Sequence, residues 1–332
     1  MKDFFLPSMN SFKQKLNAIG NSYLEDSPDY NQLKETTDNF KELLFSWYQK
    51  KFGENLDREN IENENGTAIG PLWAAMCLED IARTKKFICG IAKAIEQNRN
   101  KKSPIKIIYA GTGPFATLLL PLFQKFEDLN IEYTLLELNP ISFSVLTRLL
   151  KDLDFSNLKI SLIEADATKF KLSLNQFPDV CISETMQNSL DKEHQVAIFQ
   201  NFFEQSKPET IFIPEKIELF IAKRVYNNSS LSTRAQKIQK VFELSKQSFI
   251  KTGKEFPVVK TTISKNELDE NEDLVLLTLI HVFQEEKILE NESGLTIPKT
   301  IFRQPIKSEF VIYSQYEIGA NPKLNLNFSI PN

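Results

Sequence analysis

Residues 105–137, IKIIYAGTGPFATLLLPLFQKFEDLNIEYTLLE, constrain this chain more than any other stretch. Ile105 to Ala110 is a short apolar run broken only by Lys106, the pattern of a strand buried on both faces. Gly111-Thr112-Gly113-Pro114 follows, then an apolar, helix-like stretch from Phe115 to Phe126, and a second strand-like run from Ile131 that closes on Glu137. In open parallel sheets, ligands sit beyond the carboxyl ends of the strands, where small residues let the backbone approach them. A carboxylate ending the second strand can accept two hydroxyl hydrogen bonds from a ribose diol. The ordered set of strand, glycine turn, strand and acid predicts a site for a nucleoside-bearing cofactor.

The rest of the chain extends this pattern. A polar stretch from Glu54 to Gly66 reads as a linker or exposed loop behind a helical segment, in which Phe40, Leu43, Leu44, Trp47 and Tyr48 form an apolar face that must pack on something. Residues 70–96 are expected to form one helix, with Pro71 in its first turn and Asp80, Arg83 and Thr84 along the edge of its apolar stripe. Leu158 to Glu164 reads as a third strand, followed by Ala165-Asp166-Ala167; Asp166 is placed to accept from an adenine amino group and the adjacent Ala167 N–H to serve a ring nitrogen. Taken alone, an acid in this place more often closes a turn or caps a helix. A buried strand at Val180 to Ser183 delivers Glu184 at its end, and Glu193 follows nine residues later. Two carboxylates at the mouth of a cofactor site are suited to gripping a cation or protonated amine.

Beyond Ile211-Phe212-Ile213-Pro214, short apolar runs separated by turn residues predict an antiparallel β-barrel or sandwich. Leu231 to Ile250 carries apolar residues at helical spacing and reads as a helical insertion. The expected organisation is an N-terminal helical segment (1–66), a Rossmann-like domain (67–214), and a β-barrel-like domain (215–332) with a helical arm at about 226–255.

From about residue 76 to 222 the chain resembles the catalytic core of the protein arginine methyltransferases, a class I family that uses S-adenosyl-L-methionine. Asp80-Ile81-Ala82-Arg83-Thr84 is similar to that family's D-x-x-R-T helix, Gly111-Thr112-Gly113 to its glycine turn and Glu137 to its ribose-binding acid. Ser183-Glu184-Thr185-Met186 with Glu193 resembles its double-E loop. The resemblance implies an α/β methyltransferase core and a Rossmann-like cofactor site formed by Arg83, Gly111, Thr112, Gly113, Glu137, Asp166 and Ala167. It implies that Arg83 pairs with the cofactor's methionine carboxylate, that Glu184 and Glu193 orient a guanidino acceptor, and that Met186 lines the transfer pocket. It also implies a homodimer joined through the insertion. The chain departs from the family at Ile107 and Tyr109, which replace an acid and a glycine, at Thr185, which replaces a tryptophan, and in lacking a Thr-His-Trp segment.

Other chemistries fit less well. A dinucleotide dehydrogenase would need a third glycine where Ala116 stands, and would have no use for Arg83 or the paired acids. A methyltransferase for another amine, or a scaffold that keeps the fold without turnover, shares most of the motifs. A formal charge of -4 argues against a general nucleic-acid binder, and two histidines argue against a histidine-rich metal site. No run approaches the roughly 20 apolar residues of a membrane span. Cys77, Cys89 and Cys181 lack metal-ligand spacing, and the N-terminus lacks the apolar core of a signal peptide. Free thiols in the cytoplasm are therefore expected.

Overall fold

The computed structural model describes residues 9–174, 176–225, 234–265, 267–269, 272–303 and 308–329. Two helices come first, α1 (Met9–Leu24) and α2 (Tyr30–Phe52). Asp29 caps α2 by accepting from Gln32 N–H at 2.8 Å, and Gly53 ends it at φ +68°. The expected apolar face of α2 is buried, and Phe45, Trp47 and Tyr48 pack edge-on around Phe115 at 5.9, 6.4 and 6.5 Å between ring centroids. What the N-terminal helices cover is thus the segment that follows the glycine turn.

The stretch expected as a linker or exposed loop is an irregular, mostly exposed segment only as far as Asn60. It ends in a hairpin, β1 (Ile61–Asn63) and β2 (Gly66–Ala68). The single helix expected over 70–96 is two, α3 (Pro71–Met76) and α4 (Ile81–Gln97), separated by a 3-10 turn. Asp80 causes the break: its carboxylate accepts from Arg83 N–H and starts α4 afresh.

A parallel sheet follows, built from β3 (Ile105–Ala110), β4 (Ile131–Glu137), β5 (Lys159–Glu164), β6 (Val180–Ser183) and β7 (Ile211–Ile213), with α5 (Pro140–Leu153) and α6 (Gln195–Glu204) in the crossovers. The spatial order is β5-β4-β3-β6-β7. The winding reverses between β3 and β6, which opens a crevice at their carboxyl ends. Phe115 to Phe126 is not an α-helix but a chain of turns with one 3-10 turn at Leu120–Leu122. Pro121 has no N–H to give, its ring excludes the carbonyl four residues back, and Ala116 sits at φ +46°.

The remainder is antiparallel: β8 (Lys216–Val225), β9 (Gln236–Ser245), a short α7 (Lys246–Thr252), β10 (Val259–Ile263), β11 (Glu272–Phe283), β12 (Glu286–Ile288), β13 (Lys299–Phe302), β14 (Phe310–Glu317) and β15 (Lys323–Ser329). One sheet runs β12-β11-β8-β9 with β13 also on β11; the other runs β10-β14-β15. The expected helical insertion is corrected here, since residues 236–245 are the strand β9 and only α7 is helical; residues 226–233 lie outside the described set. The cause is two register shifts against β8, which leave Ile238 and Val241 without partners. Each bulge inserts one residue into the two-residue alternation, and the resulting spacing of Ile238, Val241 and Phe242 imitates a helix. Among the described residues no helix is long and apolar enough to cross a membrane.

Candidate active site

The crevice between β3 and β6 is a cavity of about 910 Å³ of unfilled space, its mouth included. Glycine is required at both ends of the turn below it, because Gly111 and Gly113 adopt φ +74° and +62°. A Cβ on Gly111 would collide with Thr185 Cγ2, so the turn lies directly against the acid-bearing loop. Glu137 folds onto the same turn: Oε2 accepts from Gly113 N–H at 2.7 Å and Thr112 Oγ1 at 3.3 Å, and Oε1 accepts from Asn139 N–H at 2.8 Å. Burial pushes this carboxyl above the usual range, and those donors work against the rise.

Arg83, in the first turn of α4, is 9% exposed and extends to Glu184, with which it forms an ion pair. An Asp80–Arg83 side-chain pair, the simplest reading of the i,i+3 spacing, is not what forms. Asp80 gives its second oxygen instead to Ser293 Oγ (2.6 Å) and Gly294 N–H (2.9 Å). The other oxygen of Glu184, Oε1, is buried with no hydrogen-bond partner among the described residues. Glu193 is also buried, and burial pushes its carboxyl up to about 7, with Arg83 and Gln187 pulling the other way. Met186, 4% exposed, lines the same cavity.

The loop joining the two glutamates is held in backbone conformations that side chains resist. Ser189, Leu190 and Lys192 have φ of +64°, +58° and +66°, each costing about 1–3 kcal/mol in isolation. The surroundings enforce them. Tyr316 Oη donates to Leu190 O at 2.7 Å, Lys192 N–H to Pro322 O at 2.7 Å, and Thr67 N–H to Lys192 O at 2.7 Å. Gln195 ties the Glu184 end by accepting from Thr185 N–H at 3.0 Å while its own N–H donates to Thr185 O.

Of the ten site residues expected from sequence, nine line this cavity: Arg83, Gly111, Thr112, Gly113, Glu137, Ala167, Glu184, Met186 and Glu193. Asp166 does not. Its carboxylate closes the turn after β5, accepting from Thr168 N–H (2.8 Å) and Thr168 Oγ1 (2.6 Å), so the cavity wall there is Ala165 and Ala167. The β1–β2 hairpin supplies residues that sequence reading missed: Thr67, Ala68 and Ile69 line the cavity. Asn63 reaches from the hairpin to His194 Nε2 at 2.8 Å and to Asp166 at 3.4 Å, so His194 is latched and its imidazole is pushed down by burial. The Asn65-Gly66 dipeptide was the available signal for this turn. Among the described residues no cluster of His, Cys, Asp and Glu has the makings of a metal site.

No protein-family model and no curated protein matches the sequence. Solved structures do match in shape. One is the Trypanosoma brucei PRMT1 enzyme-prozyme heterotetrameric complex with AdoHcy, with a TM-score of 0.52 and 10% identity over 77% of this chain and 92% of that one. Another is Arabidopsis thaliana protein arginine methyltransferase 10 in an open conformation, with a TM-score of 0.50 and 12% identity over 73% and 86%. The fold, a Rossmann-like core joined to an antiparallel β domain, is that of the protein arginine methyltransferases.

Proposed function

We propose that this protein is an S-adenosylmethionine-dependent N-methyltransferase acting on a guanidino group of a peptide, protein or small molecule. The observation that carries the reading is the meeting of Arg83, Glu184 and Glu193 in one cavity with the glycine turn and Glu137. The residues fit such a cofactor. The turn would be filled by any Cβ at Gly111, and Glu137 stands at the end of the second strand where a ribose diol would lie. Arg83 would hold the cofactor's carboxylate, and Ala165 and Ala167 leave room beside the third strand end.

When bound, the cofactor supplies an electrophilic methyl group, so the protein's task is to bring a nucleophile in line at near-attack distance. Two carboxylates can hold a planar guanidinium at separate N–H edges and fix which nitrogen faces the methyl group. Glu193 is poised near 7 and is suited to taking up the released proton, directly or through water. Met186 would bound the volume open to the transferred methyl.

The reading includes a homodimer in the cytoplasm. The Trypanosoma neighbour is a heterotetramer, and α7 of this chain, within the segment expected to form the arm, presents Ile250 at 73% exposure. Light scattering on the purified protein tests the dimer. Calorimetric titration with S-adenosylmethionine, alone and with arginine or an arginine-containing peptide, tests the chemistry. Micromolar cofactor binding strengthened by the guanidino compound is the expected result. Cofactor binding without that response would point to another amine, and no binding would leave a non-catalytic scaffold.

A further inference from the structure

A guanidinium is already seated on Glu184, and it belongs to the chain itself. Arg83 Nη2 pairs with Glu184 Oε2, the two side chains being 11% and 2% exposed. A cation this buried is costly without a partner, and the same holds for the carboxylate. The free site therefore keeps its charges matched internally, at the expense of the carboxylate an acceptor would need. Glu184 Oε1 stands beside this pair, buried and unpartnered among the described residues.

We propose that Arg83 occupies the acceptor's place on Glu184 in the free protein and that the cofactor's carboxylate draws it away, so that the acceptor binds second. This rests on the methyltransferase reading above. An acceptor arriving first would have to share Glu184 or strand Arg83 in a buried cavity. A carboxylate arriving first gives Arg83 a new partner and exposes both oxygens of Glu184 to an incoming cation. One ion pair thereby becomes two. Because linkage is reciprocal, a guanidinium on Glu184 must also tighten the cofactor.

The test needs no knowledge of the natural acceptor. S-adenosylhomocysteine, which lacks the sulfonium charge, is titrated calorimetrically at about pH 8.5 into wild type, Glu184→Gln and Glu193→Gln. It is also titrated into wild type with methylguanidinium present. Removing the competitor for Arg83 should tighten S-adenosylhomocysteine by about fivefold or more in Glu184→Gln, within the usual range of coupling between sites. Glu193→Gln, which removes a neighbouring acid but not the pair, should change it by less than about twofold on the same scale. Methylguanidinium should tighten S-adenosylhomocysteine in wild type, and this arm decides the matter alone where the Gln variant does not fold. Unchanged or weaker binding in folded Glu184→Gln, or no effect of methylguanidinium on wild type, overturns the binding order while leaving the methyltransferase reading intact. Failure of wild type to bind S-adenosylhomocysteine at all overturns that reading, and the order with it.

Discussion

Glu193 places a carboxyl in a buried wall, and the consequence for stability can be worked out with its sign. Its carboxyl, ordinarily near 4.5, is pushed up to about 7 in the folded protein. The folded state therefore holds this proton more tightly than the unfolded chain does. Between about pH 4.5 and 7, the window set by those two values, the unfolded state loses the proton first and stability falls as pH rises. At about 1.36 kcal/mol per pH unit, a difference of about 2.5 units (7 minus 4.5) corresponds to about 3 kcal/mol at full ionisation. Glu193→Gln keeps the shape and removes the titration. Measured by urea denaturation from pH 4 to 8.5, the variant should match wild type at the acid end and exceed it by up to about 3 kcal/mol above pH 7.5. The same variant should lose turnover, so that stability and activity move in opposite directions. A stability difference that is flat across this pH range would refute the assignment of a buried, proton-holding Glu193.

Three further outcomes follow from the geometry. Arg83→Ala should weaken S-adenosylmethionine by about 2 kcal/mol, or roughly thirtyfold, as expected for a lost charge-assisted contact, and calorimetry measures it directly. Gly111→Ala, at φ +74° and against Thr185 Cγ2, should lower the thermal midpoint and abolish cofactor binding, with Thr185→Ala in the same chain restoring part of both. Phe115→Ala removes the ring on which Phe45, Trp47 and Tyr48 converge and should cost about 3–5 kcal/mol in denaturant unfolding; a loss under about 1 kcal/mol would mean that the N-terminal helices pack independently of the glycine turn.

How much of this could be read in advance depended on whether the cause was local. β3 and β4 announce themselves because a mainly apolar run followed by glycine or an acid is produced by burial of most residues along the strand. Glu184 and Glu193 were visible as acids beyond a buried strand, and family likeness gave them roles. The failures have physical sources too. Pro121 ends helix formation in a stretch whose apolar content alone suggests a helix. The bulges at Ile238 and Val241 write a helical period into a strand, and β8 decides otherwise through backbone hydrogen bonds from a different part of the chain. Nothing local marks Ser189, Leu190 and Lys192 for left-handed backbone, which is imposed by Tyr316, Pro322 and Thr67. The Asn63–His194 contact joins residues 131 positions apart and has no local signature either.

The hydrogen bond from Ser293 to Asp80 spans 213 residues of sequence. It fixes the carboxylate that begins α4, and hence the helical turn that carries Arg83. During synthesis the glycine turn, the paired glutamates and Arg83 all leave the ribosome long before Ser293 does. A nascent chain ending near residue 214 would possess every group of the cofactor wall while lacking the anchor on Asp80 and the contacts from Tyr316 and Pro322 that hold the acid loop. Alignment of this site therefore waits for residues 293 to 322, and a product cut before them would carry the sequence of the site without its alignment.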